Sequence, residues 1–166
     1  MELHLKDYLT LGNAACGFLA LALFPVFGFF SSFGLIVLAM VFDFFDGIVA
    51  RKDNAHNEFG KQLDSLADAV SFGVAPAALV FFTLLPKDFY VFILLLLGGI
   101  FYLSAVVLRL AKYNLQSEKG VYYGLPSPLA AFLLLAFGWF NAWFSIALLF
   151  VLGILMTVRF KVRKVF

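Results

Sequence analysis

The chain has 166 residues, of which 64% are hydrophobic and 13% are charged, and its formal net charge is +2. Soluble domains are nearer half apolar and a quarter charged, so this composition excludes an ordinary soluble domain and predicts a single transmembrane domain over residues 1–166. The small positive charge, without a basic patch interleaved with aromatic residues, argues against a nucleic-acid partner. The single cysteine excludes an internal disulfide.

The apolar runs predict an all-α membrane protein with about six transmembrane helices, since about 20 residues cross a bilayer. The first four helices are expected near residues 9–27, 32–51, 60–84 and 88–113. Two shorter helices share residues 126–159, with a break near 139–143. The first apolar run follows Cys16 rather than preceding it, so we expect a retained first helix and not a cleaved signal segment.

The basic residues predict the orientation of these helices. With six crossings both termini lie on one side, and every Lys and Arg except Lys87 falls on or next to that side. Lys and Arg are enriched in cytoplasmic loops. We therefore expect both termini in the cytoplasm and the protein in the cytoplasmic membrane, because five crossings would leave the basic C-terminal tail outside.

Four carboxylates, Asp43, Asp46, Asp64 and Asp68, lie near the ends of the second and third predicted helices. An Asp at the centre of a membrane helix costs roughly 2.5–3.5 kcal/mol, and less near the interface, so such charges need compensation. Residues three and four apart share a helix face, which places each pair of acids on one face. The loop between the two helices is short, so the two acidic faces should meet near the cytoplasmic interface.

Oxygen ligands without a His or Cys cluster favour Mg²⁺, Mn²⁺ or Ca²⁺ over zinc, and four carboxylates favour more than one ion. Mg²⁺ is usually held by one or two carboxylates together with substrate phosphates. Gly47, Ala50 and Gly60 lie on the acidic faces and leave space beside the ions. The alternative is a polar seam between helices that holds a structural ion.

The full pattern resembles the signature of the CDP-alcohol phosphatidyltransferases at every fixed position, and it reads Asp43-x2-Asp46-Gly47-x2-Ala50-Arg51-x8-Gly60-x3-Asp64-x3-Asp68. The resemblance implies a CDP-linked lipid as donor, CDP-diacylglycerol or the archaeal CDP-archaeol, with CMP as leaving group. It implies four metal-ligating aspartates and two divalent ions. It also implies that the last aspartate, Asp68, is the general base. A homodimer is common in this family.

Four further stretches resemble the phosphatidylserine synthase branch of that family, which implies L-serine as acceptor. They are TLGNAACG from Thr10, LDSLADAVSFGVAPA from Leu63, RLAKYN from Arg109 and GLPSP from Gly124. Ser65 and Ala69 stand where the glycerol-phosphate branch usually has Pro and Lys. Thr10 and Asn13 are then expected to contact the CDP-lipid together with Gly47, Ala50, Arg51 and Gly60. For Thr10 and Asn13 the alternative is capping or hydrogen bonding between helices.

Serine is a zwitterion, so its pocket needs a cation for the carboxylate and acceptors for the ammonium group. Arg109 is the best candidate for the carboxylate, because a guanidinium binds carboxylates bidentately. The other expected serine contacts are Ser71, Lys112, Tyr113, Asn114 and Ser127. Arg109 and Lys112 would otherwise be anchors at the membrane interface, and Ser127 would otherwise start a helix.

Two alternatives to serine transfer remain open. The same chemistry could use glycerol phosphate or inositol phosphate, although a phosphorylated acceptor would need more cations near Asp68 than Arg109 and Lys112. A small cation channel or transporter would need polar residues along a path through the bilayer. The opposite ends of these helices are nearly all apolar, which argues against transport.

Overall fold

The computed structural model describes residues 5–52, 58–115 and 122–160, except for the side chains of residues 50–52, 122–123 and 159–160. The described chain is almost entirely helical. Its helices are α1 (Leu5–Lys52), α2 (Glu58–Asp68), a π-helical segment (Ala69–Val74), α3 (Ala75–Leu84), α4 (Phe89–Leu115), α5 (Ser127–Phe137) and α6 (Ala142–Thr157). Two strands of two residues, β1 (Tyr122–Tyr123) and β2 (Arg159–Phe160), pair antiparallel.

Helix α1 is a hairpin of two helical halves that meet at Gly28. Gly28 has φ 75° and ψ −173°, a conformation that glycine adopts without the steric cost of a side chain. The Thr10 Oγ1 atom lies 2.8 Å from Asp46 Oδ2, across 36 residues. An unbroken helix of that length would hold them about 54 Å apart, so the two halves must fold back on each other. The predicted first and second helices are therefore confirmed as separate helical segments.

The predicted third helix is confirmed as a continuous run from Glu58 to Leu84, with a π-helical segment in the middle. This segment begins directly after Asp68, and its residues Ser71, Phe72 and Gly73 are buried. The hydroxyl of Tyr102 in α4 donates to the Phe72 carbonyl at 2.9 Å. Short π-helical segments are rare and occur often at functional sites.

The predicted break in residues 126–159 is also confirmed, because α5 ends at Phe137 and α6 begins at Ala142. The Asn141 side chain caps α6 by accepting from the Trp143 and Phe144 amides at 2.9 and 3.2 Å. At the other end of α6, the Leu125 amide donates to the Leu155 carbonyl at 3.0 Å. This contact and the β1–β2 pair hold the segment before α5 against the end of α6.

The surface of the bundle fits a membrane environment. The runs Leu5–Val49, Glu58–Leu84 and Phe89–Leu115 are long and apolar enough to cross a bilayer, and α5 and α6 are shorter apolar helices. Large apolar side chains face outward, and the exposed fractions of Phe18, Phe30 and Phe89 are 65%, 68% and 70%. Such surface is costly in water and suits contact with lipid.

Candidate active site

Three of the four predicted aspartates form a tight cluster. The second half of α1 carries Asp43, and α2 carries Asp64 and Asp68 on one face. One carboxylate oxygen from each of the three lies within 4.8 Å of the other two. Asp43 and Asp64 are partly buried, and Asp68 is only 7% exposed. The antiparallel packing of these helices thus brings the acids together, as the spacing predicts.

The donor set of this cluster fits a divalent cation. Three carboxylates at this separation repel one another when ionised, and burial strengthens the repulsion because water screens it less. A bound cation would offset it. The ligands are all hard oxygens, which suit Mg²⁺, Mn²⁺ or Ca²⁺. Asp43, Asp64 and Asp68 are the residues that would hold such an ion.

Asp46 lies beside this cluster and has a hydrogen-bond partner of its own. Its Oδ2 atom accepts from the Thr10 hydroxyl at 2.8 Å, and both residues are buried. Asp46 also interacts electrostatically with Asp43 and Asp64. The position is close enough for Asp46 to contribute to a second ion, although only the other three form the compact triple.

Asp68 forms a hydrogen bond with a residue in the first half of α1. The Asn13 side-chain amide donates to Asp68 Oδ1 at 3.0 Å. The Ser71 hydroxyl, one turn beyond Asp68, donates to the backbone carbonyl of Asn13 at 2.8 Å. Asn13 and Ser71 are completely buried. Thr10 and Asn13 were expected to contact the CDP-lipid or to bond between helices. In the structure both side chains bond to aspartates of the signature.

Two cations lie near the acids. Arg109, on α4, interacts electrostatically with Asp68 and Asp43 and donates from a terminal nitrogen to the Ser127 hydroxyl at 2.8 Å. Its Nε–H group is buried and has no hydrogen-bond acceptor among the described residues. Lys6 is 6% exposed and interacts with Asp46 and Asp64.

Lys6 is a residue that sequence reasoning missed, because it was assigned only to the basic cytoplasmic side. A signal for it exists in the sequence. Lys6, Thr10, Asn13 and Gly17 are spaced by four, three and four residues, which places them on one helix face. All four are buried, and the first three interact with aspartates of the signature.

The other expected serine contacts are not all brought to the acids. The Asn114 side-chain amide donates to Ser65 Oγ at 2.8 Å, and the Asn114 backbone carbonyl accepts from the Lys61 ammonium, so Asn114 ties the end of α4 to α2. Tyr113 is 58% exposed and lies near Arg109. Lys112 is half-buried in the last turn of α4. Ser71 and Ser127 are buried and bonded to Asn13 and Arg109.

The small residues of the signature leave space near the acids. A Cβ atom built on Gly47 would have no described atom within 4 Å outside its own helical surroundings. Gly60 is buried near the start of α2. Ala50 and Arg51 lie in the last turns of α1, and their side chains lie outside the described part of the chain.

The sequence is similar to known proteins over most of its length. Residues 3–161 match the sequence model of the family described as CDP-alcohol phosphatidyltransferase. A CDP-diacylglycerol–serine O-phosphatidyltransferase of Methanocaldococcus jannaschii is 40% identical over 133 residues, which cover 80% of this chain and 59% of the relative. One of Bacillus subtilis is 39% identical over 76% of this chain and 71% of the relative.

An archaetidylserine synthase of Methanothermobacter thermautotrophicus is 40% identical over 131 residues, or 76% of this chain and 54% of the relative. The matched region thus spans about half to seven tenths of the length of these relatives. Two of the three are archaeal.

Proposed function

Because the chain belongs to the CDP-alcohol phosphatidyltransferase family, we propose that it transfers a phosphatidyl group from CDP-diacylglycerol, or an archaetidyl group from CDP-archaeol, to L-serine. CMP is the second product. The observation that carries this proposal is the convergence of three aspartates from two helices, with Arg109 beside them. The relatives named for serine transfer support the choice of acceptor.

The donor is proposed to bind through its diphosphate at the acid cluster. A divalent ion, and a second one near Asp46, would offset charge on the diphosphate and on the departing CMP. Lys6 adds a buried positive charge on the Asp46 side. The open space beside Gly47 would let the cytidine diphosphate approach the helix backbone. Ala50, Arg51 and Gly60 are assigned to the same surface by the signature.

The transfer needs a base next to the acceptor hydroxyl, because the attacking oxygen must lose its proton. The net exchange forms a bond from the serine hydroxyl oxygen to the lipid-bearing phosphorus and breaks the bond from that phosphorus to CMP. The hydroxyl proton goes to Asp68. Asp68 suits this role because it is the most buried of the triple and is fixed by Asn13. General-base help of this kind is worth about 10²–10⁴-fold in rate.

Arg109 is proposed to bind the serine carboxylate. Its guanidinium carries one bond to Ser127 and retains an Nε–H without a described acceptor. It lies close enough to Asp68 to interact with it electrostatically. A carboxylate held there would place the serine hydroxyl near the base. Ser71, Lys112, Tyr113 and Asn114 stay secondary candidates, of which Ser71 and Asn114 also bond within the protein.

The membrane arrangement is part of the proposal. Six crossings, made by the two halves of α1, the run from α2 to α3, α4, α5 and α6, would place both termini and the acid cluster at the cytoplasmic face. The residues form one domain in the cytoplasmic membrane, and two copies form a homodimer.

Lys87 would be the one basic residue on the outer side, so a cysteine at position 87 should react with an impermeant reagent from outside. The native Cys16 is buried and should not interfere.

The test of function is CMP release by purified protein from CDP-diacylglycerol and Mn²⁺, with each acceptor offered alone. The acceptors are L-serine, glycerol 3-phosphate, inositol phosphate and water. We expect release that depends on serine and yields phosphatidylserine. Omission of the metal should abolish it.

Release only with glycerol 3-phosphate or inositol phosphate would refute serine as acceptor and keep the donor chemistry. Absence of release with every acceptor, from protein that binds Mn²⁺, would refute the enzyme assignment. In that case cation flux through reconstituted vesicles would test the transport alternative.

A further inference from the structure

Asn13, in the first half of α1, bonds to one of the signature aspartates and does not reach the surface. Its side-chain nitrogen donates to Asp68 Oδ1 at 3.0 Å, across 55 residues of sequence. Its exposed fraction is 0%. A bound nucleotide could not touch this side chain unless the helices moved apart. The structure therefore favours an indirect role over the nucleotide contact that the sequence suggests.

The side-chain oxygen of Asn13, Oδ1, lacks a hydrogen-bond donor among the described residues, which is unusual for a buried acceptor. A buried acceptor without a donor destabilises a folded protein, and an apolar side chain of the same shape would avoid that cost. A polar group kept in such a position is expected where function needs it. Among the described residues, the Asn13 side-chain amide bonds to Asp68 alone.

The backbone around Asn13 is fixed by the π-helical segment that follows Asp68. The Ser71 hydroxyl donates to the Asn13 carbonyl at 2.8 Å. The chains approach closely one turn further on, where a Cβ atom on Gly17 would lie 2.8 Å from the Ser71 Cα. Tyr102 anchors the same segment through the Phe72 carbonyl. Asn13 and Asp68 are thus positioned by a common set of buried contacts.

We propose that Asn13 is a positioning residue, which holds Asp68 Oδ1 and so directs the other carboxylate oxygen toward the acid cluster and the acceptor hydroxyl. This rests on the proposed function, because Asp68 is taken as the base. The carboxylate can rotate about its terminal torsion, which is broad. A donor on one oxygen selects the orientation of the other. A base displaced by about 1 Å can cost roughly 10²-fold in rate.

The test compares Asn13→Leu and Asn13→Asp with the wild type. Leu keeps the approximate shape of Asn and removes both the donor and the unsatisfied acceptor. Asp keeps an acceptor oxygen and replaces the neutral amide donor by a second carboxyl group beside Asp68. For both variants we expect kcat for CMP release to fall about 10- to 100-fold, with the KM values for CDP-lipid and acceptor within about threefold of wild type. The unfolding temperature of Asn13→Leu should stay close to that of the wild type, because the variant removes one buried acceptor without a donor, Asn13 Oδ1, and leaves Asp68 Oδ1 without its donor.

Asn141→Ala is the matched control, because it removes an asparagine side chain that only caps α6. It should lower the unfolding temperature and leave kcat per folded protein unchanged, which is the reverse of Asn13→Leu. The assay uses whichever acceptor the wild type accepts, so failure of serine as acceptor is separate from failure of this proposal.

Three results would overturn the assignment of Asn13. A raised KM for CDP-lipid with unchanged kcat would make it a nucleotide contact. Wild-type kcat in Asn13→Leu would show that Asp68 needs no hydrogen-bond donor at this position. A joint fall of kcat and unfolding temperature in Asn13→Leu, with both restored by a stabilising lipid, would make its role structural.

Discussion

Buried polar side chains are used differently at the two ends of the helical bundle. At the end that carries Asp46 and Asp68, which we term the acid end, hydrogen bonds join Thr10 to Asp46 and Asn13 to Asp68 across 36 and 55 residues. At the opposite end, around Gly28 and Trp139, the Ser145 hydroxyl donates only to nearby carbonyls, those of Asn141 and Gly138, which lie four and seven residues earlier in the chain. We term this the aromatic end.

The aromatic end is otherwise held by rings. Trp139 lies 5.9 Å from Phe29 and 5.3 Å from Phe30 between ring centroids, which ties the α1 turn to the connection before α6. Local hydrogen bonds complete a helix end, and ring contacts fill space. Long-range bonds between buried polar groups instead fix one element relative to another. The comparison indicates that the acid end is built for a defined geometry and the aromatic end for packing.

The largest expected effect is that of Asp64→Asn, which removes one carboxylate of the triple. CMP release should fall at least about 10²-fold, since the lost metal contribution is several kcal/mol and about 1.4 kcal/mol is tenfold. In chelator the variant should unfold at the same or a higher temperature than wild type, because one source of repulsion is gone. Mn²⁺ should stabilise wild type more than the variant.

Asp88→Asn is the control for that experiment. Its side chain accepts from the Val91 amide at the start of α4, a role that an Asn side chain can keep. It should leave both activity and the Mn²⁺ response unchanged. An Asp64→Asn variant stabilised by Mn²⁺ as much as the wild type would contradict the metal assignment.

Arg109→Lys comes next in size. A lysine keeps the charge and loses the planar fork that can hold both Ser127 and a carboxylate. We expect the KM for serine to rise about 10- to 100-fold, as for loss of a charged hydrogen bond, while the KM for CDP-lipid changes little. Steady-state kinetics with each substrate varied separate the two. An unchanged KM for serine would place Arg109 outside the acceptor pocket.

Gly47→Ala paired with Gly34→Ala tests the space beside the acids. Neither added methyl group would meet a described atom within 4 Å, and both glycines lie in the second half of α1. Alanine is a better helix former than glycine, so neither variant should be less stable. Gly47→Ala should raise the KM for CDP-lipid about tenfold, as for overpacking against the ligand. Equal kinetics in the two variants would mean that no substrate fills this space.

Asn141→Ala should give the smallest effect on activity. Loss of the α6 cap should lower the free energy of unfolding by about 1 kcal/mol, with CMP release per folded protein unchanged. Thermal unfolding and a CMP assay on the same sample measure both. A loss of activity larger than the loss of folded protein would show that the aromatic end also serves catalysis.

The acid end shows which features the sequence could predict. The signature predicted that four aspartates converge, because helical spacing and a short loop leave few other arrangements. Asp43, Asp64 and Asp68 form the cluster, and Asp46 lies beside it. The end of the first helical segment was predicted near Pro25, and the break between α5 and α6 was predicted near Trp139 to Trp143. These are local signals, and local signals can be read from sequence.

The partners of Thr10 and Asn13 could not be read in this way. Their bonds join residues 36 and 55 apart, and they depend on how the first half of α1 packs against its second half and against α2. The π-helical segment after Asp68 also had no local signal, because Ala69–Val74 contains neither Pro nor a charge. The role of Lys6 was missed because a basic residue near a terminus usually lies in solvent or at the membrane interface.

The most direct test of the account is CMP release by Asp68→Asn beside wild type, in the same lipid, with Mn²⁺ and L-serine, and with the unfolding temperature measured on each sample. The account predicts serine-dependent release by wild type and a loss of about 10²–10⁴-fold in the variant, which should remain as stably folded as the wild type. A folded Asp68→Asn variant that releases CMP at the wild-type rate would contradict the assignment of the acid end as the catalytic site.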